Sequence, residues 1–402
     1  MAVPHRILEN GPRDGWPAAR LIGIDLARGL AVFGMCAVHV GPGRGDGLAG
    51  RMMEFPFGRS SVLFAVLTGF SLILIAGRNP PKSALAGRQA IAKVVIRALI
   101  LLALGEILAY VNAPVSVILA YYGVCFLLVL PLCRLSAQRL GLLAAATALV
   151  LPQVRFLLLK MFGSGRSDPE VFTLLVSGTY PALTWVPLLI AGMAIARFDL
   201  RTRAMHLRLG VAGVALAVLG FGGSWLALHL MPEVSAELAN LQELELAPQP
   251  WWWLDLDDLT TSWLWIASPH SETTFWIFGS AGCAMIIVAA CSLAMDALPF
   301  MRKLVSPIIA VGSMPLTAYL LHILGIYMLG RPHSLSALFG LIVVVSAFAV
   351  LWLRLFQRGP MEALMGSIVD RATRRPLNTT SPRLSDRQLR TPKKANLTDG
   401  PT

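Results

Sequence analysis

Charge is scarce in this chain. Only 14% of its 402 residues are Asp, Glu, Lys or Arg, against 56% hydrophobic residues, and the mean hydropathy is +0.67. A soluble domain cannot hide that much apolar side chain, so a water-soluble globular fold is excluded. Cysteine is also scarce: Cys36, Cys125, Cys133, Cys283 and Cys291, with no CxxC pair and no zinc-type spacing. That excludes a dithiol redox motif and a structural zinc site, and no metal is expected. No basic soluble domain accompanies the net charge of +12, which therefore gives no reason to expect nucleic acid. No solenoid-type repeat and no signal peptide is evident either; residues 21–41 have a basic approach but lead into further apolar segments.

What remains is a series of apolar stretches. Ten candidate spans fall at roughly 21–41, 60–77, 90–110, 114–133, 139–160, 175–196, 209–231, 273–295, 305–329 and 335–356, each near the twenty residues a helix needs to cross the hydrocarbon. The stretch 139–160 is interrupted by Pro152 and Arg155. The expected fold is thus an all-α polytopic bundle of about ten transmembrane helices. Twenty-six of the 34 Lys and Arg residues lie on the side shared by both termini, so both ends are expected in the cytoplasm, with membrane lipids as the surroundings.

The expected organisation is a cytoplasmic arm (1–20) and a transmembrane domain (21–356), then an amphipathic interfacial helix (357–372) and a basic disordered tail (373–402). The apolar positions of the interfacial helix are Met361, Leu364, Met365, Ile368 and Val369. Residues 41–59 read as a Gly-rich outer loop, and 232–272 as a large acidic outer loop carrying Trp251, Trp252, Trp253, Trp263 and Trp265.

Against this background a few ionisable residues stand out, because charge inside a span is costly and marks function by default. Arg28 and His39 lie eleven residues apart in the first span, on one helical face and about 16 Å apart along the axis. Asp25 sits one turn before Arg28. The Asp25–Arg28 pair reads either as an ion pair that fixes packing or as a cationic site for an anionic ligand such as a phosphate. His39 is the natural proton acceptor of the group, or an interfacial histidine bonded to a carbonyl. Glu106, His270 and His322 are placed at a similar depth and could assist it as acid, base or orienting group. Arg59, followed by two serines, is a candidate anion ligand or an interfacial anchor. Tyr122 and Trp253 are belt residues or stacking surfaces for a sugar.

Several segments resemble the transmembrane acyltransferase superfamily. They are GIDLARGLAVFGMCAVH (23–39), FAVLTG (64–69), GSMPLTAYLLH (312–322) and RGPME (358–362). The chain is most similar to bacterial YeiB-like proteins and to the catalytic domain of heparan-alpha-glucosaminide N-acetyltransferase. The Arg28–His39 spacing also resembles the acyltransferase-3 family. The resemblance implies transfer of an acyl group, usually acetyl, from cytoplasmic acetyl-CoA or another acyl-CoA to a hydroxyl or amine outside. The implied acceptor is an envelope glycan or a lipid-linked sugar, and the implied setting is a bacterial plasma membrane. Arg28 and Asp25 would then face the donor and His39 the acceptor, with Arg59, Tyr122 and Trp253 as acceptor contacts. One departure stands: the lysosomal enzyme has Asn where this chain has His39. A transporter or flippase using the same polar stripe, or an inactive member, is the alternative. The oligomeric state is open, a homodimer being one option.

Overall fold

The computed structural model describes residues 21–43, 47–77, 84–163, 169–243, 260–330 and 332–373. All regular structure among them is helical. Six helices are long and apolar enough to cross a membrane, and eight spans result if two bent pairs each count as one. The chain is a multi-pass, all-α membrane protein.

The first helix, α1 (Ile22–Val40), is mostly buried. A short helix α2 (Gly47–Glu54) occupies part of the expected Gly-rich loop and leads into α3 (Arg59–Ala76). Then come α4 (Ala84–Tyr110), α5 (Leu119–Val129), α6 (Ala137–Phe162) and α7 (Ala182–Arg197). Helix α8 (Arg203–Leu230) contains a π turn at Val218–Gly222, and α9 (Pro232–Glu243) belongs to the large loop. The remaining helices are α10 (Thr274–Ala297), α11 (Pro299–Leu304), α12 (Ser306–Gly312), α13 (Pro315–Leu329), α14 (Leu335–Leu355) and α15 (Pro360–Thr373).

Each of the ten expected segments contains helix, but not every one is a full span. Helix α4 is long, yet its apolar part carries Lys93, Arg97 and Glu106. Helix α5 has 11 residues and passes into a tight turn at Leu130–Arg134, where Pro131 ends it. The segment at 139–160, by contrast, is unbroken: α6 runs 26 residues through Pro152, an interruption that membrane helices tolerate. A 97° bend separates α12 from α13, and a 58° bend separates the Glu170–Ser177 turn from α7.

The helices sort into inner and outer sets. The apolar windows of α1 and of the span ending in α3 are 61% and 67% buried, whereas those of α6, α8 and α14 are 22% to 28% buried and present most of their surface to lipid. Water supplies no hydrophobic force between helices inside a bilayer, so close approach depends on small residues. At Gly29 a side chain would strike the carbonyl of Ile308, and at Gly312 it would strike that of Asp25. Helix α12 therefore lies backbone to backbone on α1. Gly69 and Gly192 do the same for α3 and α7, against Leu189 and Val66.

The C-terminal helix splits the expected apolar stripe. Met361, Met365 and Val369 pack on the bundle, while Leu364 and Ile368 are exposed. Residues 1–20, 244–259 (with Trp251, Trp252 and Trp253) and 374–402 lie outside the described residues.

Candidate functional site

The end of α1 and the middle of α13 bring His39 and His322 together, 283 positions apart in sequence. His39 Nδ1 is 3.3 Å from His322 Nε2, and the rings stack with centroids 5.5 Å apart. Local bonding fixes who donates. His322 Nδ1 lies 2.6 Å from the Tyr319 carbonyl, which can only accept, so the proton of a neutral His322 sits on Nδ1. Its Nε2 then accepts from His39 Nδ1–H. In neutral His39 this leaves the basic lone pair on Nε2. His322 is fully buried. Tyr319 is held in turn by the Ile118 N–H, which donates to its hydroxyl at 3.3 Å, and the Ser334 N–H donates to the Val40 carbonyl and pins the end of α1.

His322 owes its place to a cap two turns earlier. Glu362 Oε1 accepts from the N–H groups of Leu316 (2.8 Å) and Thr317 (3.1 Å), and Oε2 accepts from the Thr317 hydroxyl (2.6 Å). A carboxylate thus closes the open N-terminus of α13, where orphan donors and the helix dipole favour negative charge. The GSMPLT and RGPME segments are two halves of one joint.

His39 faces a cavity of about 30 Å³ whose walls include Ser60, Ser61, Ser116, Tyr180, Tyr319 and His270. That is room for about one water. His270 reaches it from the segment before α10, with its ring among Phe57, Tyr180, Trp185 and Trp276. Its Nδ1 is buried and has no hydrogen-bond partner among the described residues. Burial pushes the imidazole down to about 4, so it is neutral at ordinary pH.

His270 (φ 60°) and Glu272 (φ 59°) both adopt the left-handed conformation. Such strain persists where surroundings over-determine it, often at functional sites. The clamp here is Glu272. Its carboxylate accepts from the Thr184 hydroxyl (3.0 Å) and Trp185 Nε1 (3.1 Å), and it pairs with Arg155 Nε (3.4 Å), which also donates to the Val176 carbonyl. Burial outweighs the pull of these donors and pushes Glu272 up to about 7.

This pair was missed from sequence. The available signal was that Arg155, inside a span, and Glu272, at the edge of another, each needed a partner. Trp263, from the large outer loop, is buried on Phe156 with the Arg155 guanidinium over its ring.

The other sequence candidates are dispersed. Arg28 forms a 2.8 Å bridge to Asp25 and a 2.8 Å bond to the Ser71 hydroxyl, so its guanidinium is committed within the bundle. Arg59 donates to the carbonyls of Glu54 and Phe55 and covers the Phe221 ring, an arrangement that closes α2 rather than presenting a cation. Tyr122 is buried against Phe64, its hydroxyl toward the Ser61 carbonyl, and offers no face to a sugar. Glu106 is exposed, beside Glu170, and does not reach the histidines. Trp253 lies outside the described residues. Among the described residues no three His, Cys, Asp or Glu side chains converge as metal ligands.

Comparison with known families adds one match. Residues 258–371 match the family model described as Protein of unknown function (DUF418). That family is associated with YeiB-like membrane proteins. No curated protein matches the chain. The matched segment supplies His270, Glu272, Tyr319, His322 and Glu362, whereas His39 and Arg28 come from the first helix. The histidine site is therefore assembled from the DUF418-like segment and a helix that precedes it by more than two hundred residues.

Proposed function

We propose that this protein is a membrane-embedded acyltransferase that moves an acyl group, in the first instance acetyl, from acyl-CoA to a hydroxyl or amine on the other side of the membrane. The observation that carries the proposal is the His39–His322 hydrogen bond. It sets a tautomer in which His39 Nε2 is the base, and it lets His322 Nε2 stabilise the imidazolium that forms.

The step balances as follows. The acceptor O–H or N–H gives its proton to His39 Nε2 as the acceptor atom attacks the thioester carbonyl. The carbon–sulfur bond then breaks, and the thiolate takes the proton from His39. Lys and Arg counting puts the end bearing Gly77, Arg134 and Arg197 in the cytoplasm and the histidines toward the outside, as the resemblance to YeiB-like proteins implies for donor and acceptor on opposite faces. At about 30 Å³ the cavity beside His39 is too small for a sugar, so acceptor binding requires its walls to widen. The acceptor in this proposal is an envelope sugar or a lipid-linked sugar, drawn in past Ser116 and Tyr180.

One observation favours transport instead: two spans are bent, as in carriers built on broken helices. The half-helix terminus that would receive an anionic substrate is already filled by Glu362, however. Radiolabelled acetyl-CoA supplied to the cytoplasmic side of membrane vesicles separates the two. Label in the glycan or lipid fraction, lost in His39→Ala, supports transfer; label that never leaves CoA removes it.

A further inference from the structure

A second cavity lies away from the histidines. It lies at the other end of α3, measures about 390 Å³, and is lined by the end of α3, the start of α4, the turn after α5 and the last residue of α7. This volume falls in the range of small-molecule sites, which run from about 300 to 1,000 Å³.

Its lining has a definite chemistry. Among the described residues, the charged members are Arg134 and Arg197, and no carboxylate joins them. The rest is small or apolar, including Gly77, Gly87, Ile91 and Leu130. Arg197 is oriented by donating to the Cys133 carbonyl, and Arg134 is exposed at the mouth. Two guanidinium groups over an apolar floor suit a ligand with a phosphate at one end and an apolar body at the other. Arg28 cannot fill that role without giving up Asp25 and Ser71. Helix α3 joins the two cavities, with Ser60 at one and Gly77 at the other, about 25 Å apart at 1.5 Å per residue.

We propose that this cavity binds an organic phosphate, with the phosphate between Arg134 and Arg197 and the apolar portion against Ile91 and Leu130. Two sources share that chemistry. One is the nucleotide end of coenzyme A, and this arm rests on the acyltransferase proposal. The other is an anionic phospholipid of the same leaflet.

The test uses full-length protein in neutral detergent. Coenzyme A binding is measured by calorimetry, and retained phosphatidylglycerol by native mass spectrometry. Arg134→Gln removes an exposed charge and spares the fold, Ala90→Phe fills the cavity, and Arg139→Gln is a nearby basic control. The nucleotide arm predicts that Arg134→Gln and Ala90→Phe each weaken coenzyme A binding by about tenfold, while Arg139→Gln leaves it unchanged. The lipid arm predicts that the same two variants lose bound phosphatidylglycerol and leave coenzyme A binding as it was. If neither ligand responds to Arg134→Gln or Ala90→Phe, the site is overturned. Failure of acyl transfer with Arg134-dependent binding intact would instead count against the acyltransferase proposal alone.

Discussion

At the scale of single residues, what distinguishes His39 is its neighbour. A lone histidine at the end of a membrane helix has no fixed tautomer, but one that donates to an oriented His322 does. The spacing of Arg28 and His39 on one face was legible in the sequence because it is local helical geometry. Pairings with His322 and between Arg155 and Glu272 were not, since they join distant segments and no local pattern encodes them. Arg28 belongs to the same lesson: its charge was visible, its commitment to Asp25 and Ser71 was not. Replacing Arg28 by Ala removes the ion-pair partner of a buried carboxylate and should cost about 3 kcal/mol of stability. The thermal midpoint in detergent should fall, and Asp25→Asn in the same chain should restore part of it; an unchanged midpoint would contradict the structural role. Glu272 gives a pH signature. Its folded value, about 7, lies above its ordinary 4.5, so its contribution is fully present below about 4.5 and lost as pH rises through about 7. His270, depressed from 6.5 to about 4, acts in the opposite sense: its contribution is present above 6.5 and lost as pH falls through about 4. The thermal midpoint of wild type relative to Glu272→Gln should therefore decline between about pH 5 and about pH 7.5. A flat or rising difference would show that Glu272 stays ionised throughout.

At the scale of elements, the broken span α12–α13 carries most of the consequence. A continuous apolar run from 305 to 329 reads as one straight helix. Pro315, which cannot continue the hydrogen-bond ladder, lets the helix turn by 97°, and Glu362 stabilises the new terminus. Hydropathy alone cannot reveal the bend, because both arms are equally apolar. Likewise α5 counted as a span on composition and stops short on length. Removing the carboxylate with Glu362→Ala should cost about 2 kcal/mol, the scale of lost hydrogen bonds to a charged group. His322 sits two turns into α13, so acyl transfer should fall as well, and Glu362→Gln should recover both in part. Full activity in Glu362→Ala would mean that the joint does not position His322. Gly312→Val should be worse, since a side chain there meets the Asp25 carbonyl and forces α12 off α1; loss of folded protein from membranes is the expected readout.

At the scale of the whole molecule, composition was enough for the class: 14% charge and long apolar runs leave little besides a helical membrane bundle. The orientation rests on charge asymmetry and is open to direct measurement. Ser336 lies near the histidine end and Ser367 on α15, both exposed. Ser336→Cys should react with a membrane-impermeant maleimide in intact cells, and Ser367→Cys only after permeabilisation; the reverse pattern would invert the donor and acceptor sides. In the proposed reaction, the two cavities at opposite ends of α3 would serve donor and acceptor, with a cationic mouth at one end and a paired histidine at the other. The most direct measurement is release of free coenzyme A thiol from acetyl-CoA by purified protein supplied with a sugar acceptor. Wild type should turn over, His39→Ala should fall to background while remaining folded, and His322→Ala should retain only a small residual rate. Turnover by His39→Ala at the wild-type rate would contradict the assignment of His39 as the base.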